Sequence, residues 1–146
     1  MMQGNIIGYE INEKTCQISF YNDQQLEPET LESESDNYQI PLIIGKLRDT
    51  WAYGKEAKRL VSISEGFTVT RLLERSLAGE KVEFGEDTYD AVWLLSKFIQ
   101  MSLQTFPKID GIVFTVPELT EELAKLLRGI AVRMNIDKQH IFIQDY

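Results

Sequence analysis

The run Ile112-Val113-Phe114-Thr115-Val116, stopped by Pro117, constrains this chain more than any other stretch. A short, continuous apolar run closed by proline reads as a central parallel strand buried on both faces. Past the proline the pattern changes to helix. Thr120 stands at a capping position, and Glu121 and Glu122 suit the positive start. Leu123, Leu126, Leu127, Ile130 and Met134 then fall on one stripe, with Asn135 as the stop. Ile141 to Ile143 is the last strand.

Upstream, the same reasoning gives strands before helices. Asn5 to Ile11 reads as a buried strand through Ile6, Ile7, Tyr9 and Ile11. Cys16 to Tyr21 is a second, with Cys16, Ile18 and Phe20 alternating against polar residues, and the polar Asn12-Glu13-Lys14 turns one strand into the other. Gln39 to Gly45 is expected as a third strand, with Pro41 at its entry. Trp51 to Tyr53 is a short fourth, and Val69 to Leu77 a short helix. Lys81 to Phe84 is a small strand between Gly79 and Gly85. A long helix is expected from Asp87, capped by Asp87 or Thr88 and ended by Pro107, with Val92, Leu95, Ile99, Ser102, Leu103 and Phe106 at helical spacing. Hairpins first and βα units later imply an α/β chain with a mixed sheet and helices against it.

Bulk properties exclude several classes. The chain has 146 residues, enough for one core. No apolar run approaches the ~20 residues that a membrane helix needs, and no signal peptide is visible. A lone cysteine, Cys16, permits no internal disulfide, which points to a reducing cytoplasm. The net charge of −8 argues against nucleic acid as a partner. Six acids and no base lie between Asp23 and Asp36, so residues 23–38 read as an acidic, flexible loop.

Five stretches, in order, resemble the first lobe of the actin and seventy-kilodalton heat-shock chaperone ATPases. The Asn5 to Phe20 hairpin is similar to that lobe's opening. Ile40-Pro41-Leu42-Ile43-Ile44 with Tyr53-Gly54-Lys55-Glu56-Ala57-Lys58 resembles a strand and its following turn. Leu72-Leu73-Glu74 through Gly79-Glu80-Lys81-Val82-Glu83-Phe84 resembles the section before the first long helix. Ile112-Val113-Phe114-Thr115-Val116-Pro117 resembles the strand ending Thr-Val-Pro, and Ile141-Phe142-Ile143-Gln144-Asp145 the strand after it. The resemblance implies a ribonuclease-H-like mixed five-stranded sheet, a three-strand meander followed by βα units. It also implies that residues 1–146 are a single lobe, a fragment of a longer two-lobed protein.

In that family ATP and a metal lie between two lobes, and the first hairpin turn wraps the phosphates. The matching residues here are Glu10, Asn12, Glu13, Lys14 and Thr15. Glu10, at the position of the family's aspartate, and Asp145, at that of a metal-associated glutamate, would be the metal carboxylates. Asp145 reads equally as a polar residue leaving a strand. The turn departs from the family's Asp-x-Gly-Thr: Asn12 adopts positive φ less freely than Gly, and Glu13 aims a carboxylate where a phosphate would sit. Lys14 offsets part of that charge. The resemblance therefore implies no cofactor in this chain, with ATP and magnesium reserved for a two-lobed parent, and no catalytic residue here.

Other chemistry is thin. His140 and Cys16 cannot build a zinc site alone. Gly45-Lys46 lacks the preceding glycine of a phosphate loop. Lys55, Lys58 and Arg59 read as a solvated helix face; Trp51, Tyr53 and Trp93 read as core or edge packing. Two functions remain: a degenerate, non-hydrolytic nucleotide-binding-type module with a scaffolding role, or a protein-interaction domain that binds no nucleotide. The expected partner is a second lobe or another protein, with neither nucleic acid nor membrane, and self-association through an apolar surface.

Overall fold

The computed structural model describes residues 5–22, 29–30, 39–63, 65–106 and 108–146. The strands are β1 (Asn5–Ile11), β2 (Thr15–Asn22), β3 (Glu29–Thr30), β4 (Ile40–Pro41), β5 (Ile44–Leu47), β6 (Thr50–Tyr53), β7 (Gly66–Val69), β8 (Lys81–Phe84), β9 (Asp87–Asp90), β10 (Ile109–Val116) and β11 (Ile141–Asp145). The α-helices are α1 (Lys55–Arg59), α2 (Leu72–Leu77), α3 (Ala91–Ser102) and α4 (Glu121–Arg133). Except for the short β3, the acidic loop expected over 23–38 lies outside the described residues. The chain divides into two compact units. One holds residues 1–12, 16–39 and 104–146, and the other residues 13–15 and 40–103.

The first unit is built on a mixed sheet in the order β11-β10-β1-β2-β3. β1 runs antiparallel to β2 and parallel to β10, and β10 runs parallel to β11. The register sorts the side chains into two faces. Ile7, Tyr9 and Ile11 share one face with Ile112, Phe114, Val116 and Ile141, and all seven are buried. Tyr9 meets Phe114 edge to face at 5.6 Å. Ile6, Glu10, Val113, Phe142 and Gln144 lie on the other face, where Ile6 and Phe142 are exposed. β10 is thus central and parallel, as its sequence suggests, but buried on one face only. A run that contains Val113 and Thr115 looks continuous because β-branched residues also serve a half-covered surface.

Helix α4 behaves as its sequence dictates. The Thr120 hydroxyl accepts the Leu123 N–H at 3.1 Å. Leu123, Leu127, Ile130 and Ala131 are buried, while Leu126 and Met134 are half-buried. Asn135 leaves the helix at φ 67°, a left-handed conformation that asparagine tolerates.

The second unit corrects three expectations. First, Gln39 to Gly45 is not one strand. Ile43 N–H turns back onto the Pro41 carbonyl at 2.9 Å and Leu42 N–H bonds the Lys14 carbonyl at 2.8 Å, so β4 ends and β5 starts anew in the antiparallel sheet β6-β5-β7. Second, Val69, expected as the start of a helix, is the last residue of β7, which pairs with β5; only Leu72–Leu77 is helical. Third, Asp87 to Asp90 is a strand. Gly85, at φ 68°, closes a tight turn that pairs β9 with β8, so α3 starts at Ala91 with Asp90 at its N-cap, and it ends at Ser102. Gly54 also needs its missing side chain: it sits at φ 63°, and a Cβ there would lie 2.8 Å from Ile40 Cγ2.

Aromatic rings tie these short elements together. Trp51 lies 5.4 Å from Trp93 and 5.3 Å from Tyr89. Phe67 stacks on Phe84 at 5.5 Å, and Tyr89 stacks on Trp93 at 5.2 Å. Tyr53 meets Phe98 edge to face. Helix α3 is buried along Leu94, Leu95, Phe98 and Ile99 and packs on α2. The hydroxyls of Ser76 on α2 and Ser96 on α3 are buried without a hydrogen-bond partner.

Candidate functional site

Two of the residues singled out from the sequence, Glu13 and Lys14, line a pocket of about 600 Å³ in the second unit. Leu42, Ile43, Thr70, Arg71 and Glu74 complete it. Its geometry starts from helix α2. A helix start leaves backbone N–H groups without partners. Arg71 holds the N-cap position at φ 56° and gives no side-chain cap. The Glu13 carboxylate supplies one from far upstream, accepting a hydrogen bond from the Glu74 N–H. Arg71 sits 3.8 Å from the Glu74 carboxylate. Burial raises the Glu13 carboxyl above the ordinary glutamate value, and the Glu74 carboxylate adds to this. The Glu74 N–H and the Arg71 guanidinium pull the other way.

A phosphate in this pocket would meet the Glu13 and Glu74 carboxylates beside Lys14 and Arg71. The Glu74 N–H is engaged by Glu13. Like unit charges at ~4 Å repel by roughly 1 kcal/mol in water and ~4 at an effective dielectric of 20. The two carboxylates expected to share a metal are not brought together. Glu10, exposed on β1, pairs with Thr115, whereas Asp145 pairs with Val116, the next residue along β10. The two carboxylates therefore point to opposite faces of the sheet. No group of three or more metal-ligating side chains occurs among the described residues. Asn12 and Thr15 flank the turn, both half-buried.

The remaining candidates fall on surfaces. His140 is exposed and borders a shallow concavity of about 300 Å³ in the first unit, with Ile6, Asp110, Gly111, Val113 and Phe142. Lys58 and Arg59 are exposed on α1, where Arg59 pairs with Glu56. Cys16 is buried, and burial pushes its thiol up to about 12 although the Tyr9 hydroxyl bonds to it. Such a thiol is a small apolar core group. No described helix is long and apolar enough to cross a membrane.

Over residues 27–146 the sequence matches the family described as "Family of unknown function (DUF5716) C-terminal". The chain belongs to this family. The match begins after the first hairpin, so Glu10 to Thr15 lie ahead of the family's matched span. No curated protein matches the chain. Nothing in the sequence singles out Thr70, Arg71 or Glu74 as site residues. They are ordinary polar residues around a short helix, and only the fold carries Glu13 to them.

Proposed function

We propose that this DUF5716 C-terminal chain is a protein-interaction domain that binds no nucleotide through its first hairpin. One observation carries the reading: the hairpin turn presents the Glu13 carboxylate to the pocket, with Glu74 lining the same pocket, where a phosphate would need donors. The strand order β11-β10-β1-β2-β3, with an antiparallel hairpin beside two parallel strands, supports a ribonuclease-H-like sheet. A fold of that shape serves binding and catalysis alike, so the turn and not the fold decides. A lone, buried cysteine supports a reducing, cytoplasmic setting.

Calorimetry with magnesium-ATP tests the proposal. The expected result is no saturable heat at millimolar nucleotide and no turnover. Saturable binding that is lost in Lys14→Ala sinks it, as does hydrolysis that is lost in Glu10→Ala. Lys14, Thr70 and Arg71 around the same pocket favour a second reading, a degenerate nucleotide module blocked by one carboxylate. Glu13→Ser separates the two. If that variant gains ATP binding, the second reading wins; if it stays silent, the turn is not a nucleotide site.

A further inference from the structure

We propose that strand β11 pairs with the β11 of a second copy of this chain, antiparallel across a two-fold axis at Ile143. This goes beyond the reading of the hairpin turn and does not depend on it. β11 ends the sheet order, and among the described residues no strand pairs on its far side. The Tyr146 N–H bonds the Val116 carbonyl at 3.1 Å, so Phe142, Gln144 and Tyr146 turn their peptide groups toward β10. Ile141, Ile143 and Asp145 turn theirs to the open edge. Edge strands are commonly protected by lysine, proline or a bulge. The run Ile141-Phe142-Ile143-Gln144-Asp145 has none of these, and its single charge stands at one end.

Charge complementarity selects a second copy as the occupant. Arg128 on α4 donates to the Ile141 carbonyl over a long 3.4 Å. Asp145 shares Ile141's face of the sheet and is exposed at the other end of the strand. The two positions stand about 13 Å apart along one strand, too far for Arg128 to serve both within one copy. With Ile143 on the axis, Ile141 faces the partner's Asp145. The N–H of the partner's Asp145 then takes over the Ile141 carbonyl, and the Arg128 guanidinium is released to the carboxylate beside it. The axis repeats this exchange at the other end, so each copy gives one arginine and one aspartate.

The opposite face of the sheet adds apolar area to the same contact. Phe142 is 56% exposed and Tyr146 67% exposed. In this register the partner's Tyr146 lies beside His140 and diagonal to Phe142, a separation that aromatic side chains span. That position borders the concavity of about 300 Å³ lined by Ile6, Val113, His140 and Phe142. One strand pairing therefore covers two exposed rings on each copy's edge, satisfies the edge peptide groups and brings the charges together. A closed two-fold contact of this kind uses up both edges and stops at the dimer.

Sedimentation equilibrium of the whole chain tests the pairing. The expected result is a reversible monomer–dimer equilibrium with no larger species. Asp145→Arg alone should weaken the dimer about tenfold, and so should Arg128→Asp alone. Mixed in equal amounts, these two variants should pair again, because opposite charges then meet at both ends of the axis. Both residues are exposed, so neither change disturbs the core. Phe142→Ser should also weaken the dimer while leaving the circular dichroism of the monomer unchanged. Three results overturn the proposal: a monomer at millimolar concentration, which leaves the edge to a strand of another protein; a dimer indifferent to Asp145→Arg; or a mixture of the two charge variants that stays monomeric. ATP binding at the hairpin turn would sink the earlier reading and leave the sedimentation result to judge this one.

Discussion

The two units bury apolar surface in opposite ways. In the first, long strands lay aliphatic and aromatic side chains in rows on one face of a sheet, and β10 alone sets the register for both parallel neighbours. In the second, strands of four residues bury little alone and are joined by rings from β6 to β9 and α3. The first depends on the fit of a few central residues. The second spreads its contacts over many half-exposed ones, and tolerates two buried hydroxyls that no partner satisfies. Layered packing concentrates stability, whereas a ring network distributes it and leaves aromatic surface open.

Four measurements can break or sharpen that contrast. The largest effect concerns Cys16, at 1% exposure on the first unit's buried face. A disulfide reagent should modify it in the folded protein about a thousandfold or more slower than in urea, because reaction waits for opening. Equal rates would mean that this face is not closed. Next, Phe114→Ala should cost about 3–5 kcal/mol by urea unfolding, whereas Trp93→Ala, whose ring is half exposed and meets Trp51 and Tyr89, should cost about 2 kcal/mol. Comparable losses would erase the distinction between the units. Ser96→Ala removes an unsatisfied hydroxyl from a helix and should stabilise by about 1 kcal/mol; destabilisation would imply a partner for that hydroxyl.

The smallest effect tests the turn. A glutamate whose folded value is raised binds its proton more tightly folded than unfolded, so it weakens the fold once ionised. That loss begins as pH climbs past the ordinary glutamate value and is complete above the raised one. Glu13→Gln keeps an acceptor for the Glu74 N–H and cannot ionise. It should equal the parent in acid and be slightly more stable at neutral pH. A variant less stable at neutral pH would show that the charge, and not merely the acceptor, holds α2.

What the sequence disclosed follows from where period and caps are strong. The β1–β2 hairpin, β10, α4 with its Thr120 cap and Asn135 stop, and β11 are all legible because each carries a long pattern or a local hydrogen-bond device. The middle was misread because its strands are too short for a period. Asp87-Thr88-Tyr89-Asp90 resembles a helix start, yet Gly85 and the pairing of Tyr89 with Val82 make it a hairpin arm. The turn was found for one reason and is occupied for another. A carboxylate at position 13 was visible, but its helix lies across a loop that no spacing rule connects. The aromatic surface was legible only as single residues, since Trp51, Tyr89 and Trp93 meet through tertiary packing.

The pairing of β1 with β10 has a kinetic consequence. Ile6 meets Gly111, so closing that register must gather a loop of about a hundred residues before any contact rewards it. The intervening segment from Ile40 to Leu103 has its own hairpins and helices, built from near neighbours that form quickly. Renaturation should therefore show tryptophan signals maturing early, with the parallel ladder as the late, rate-setting event.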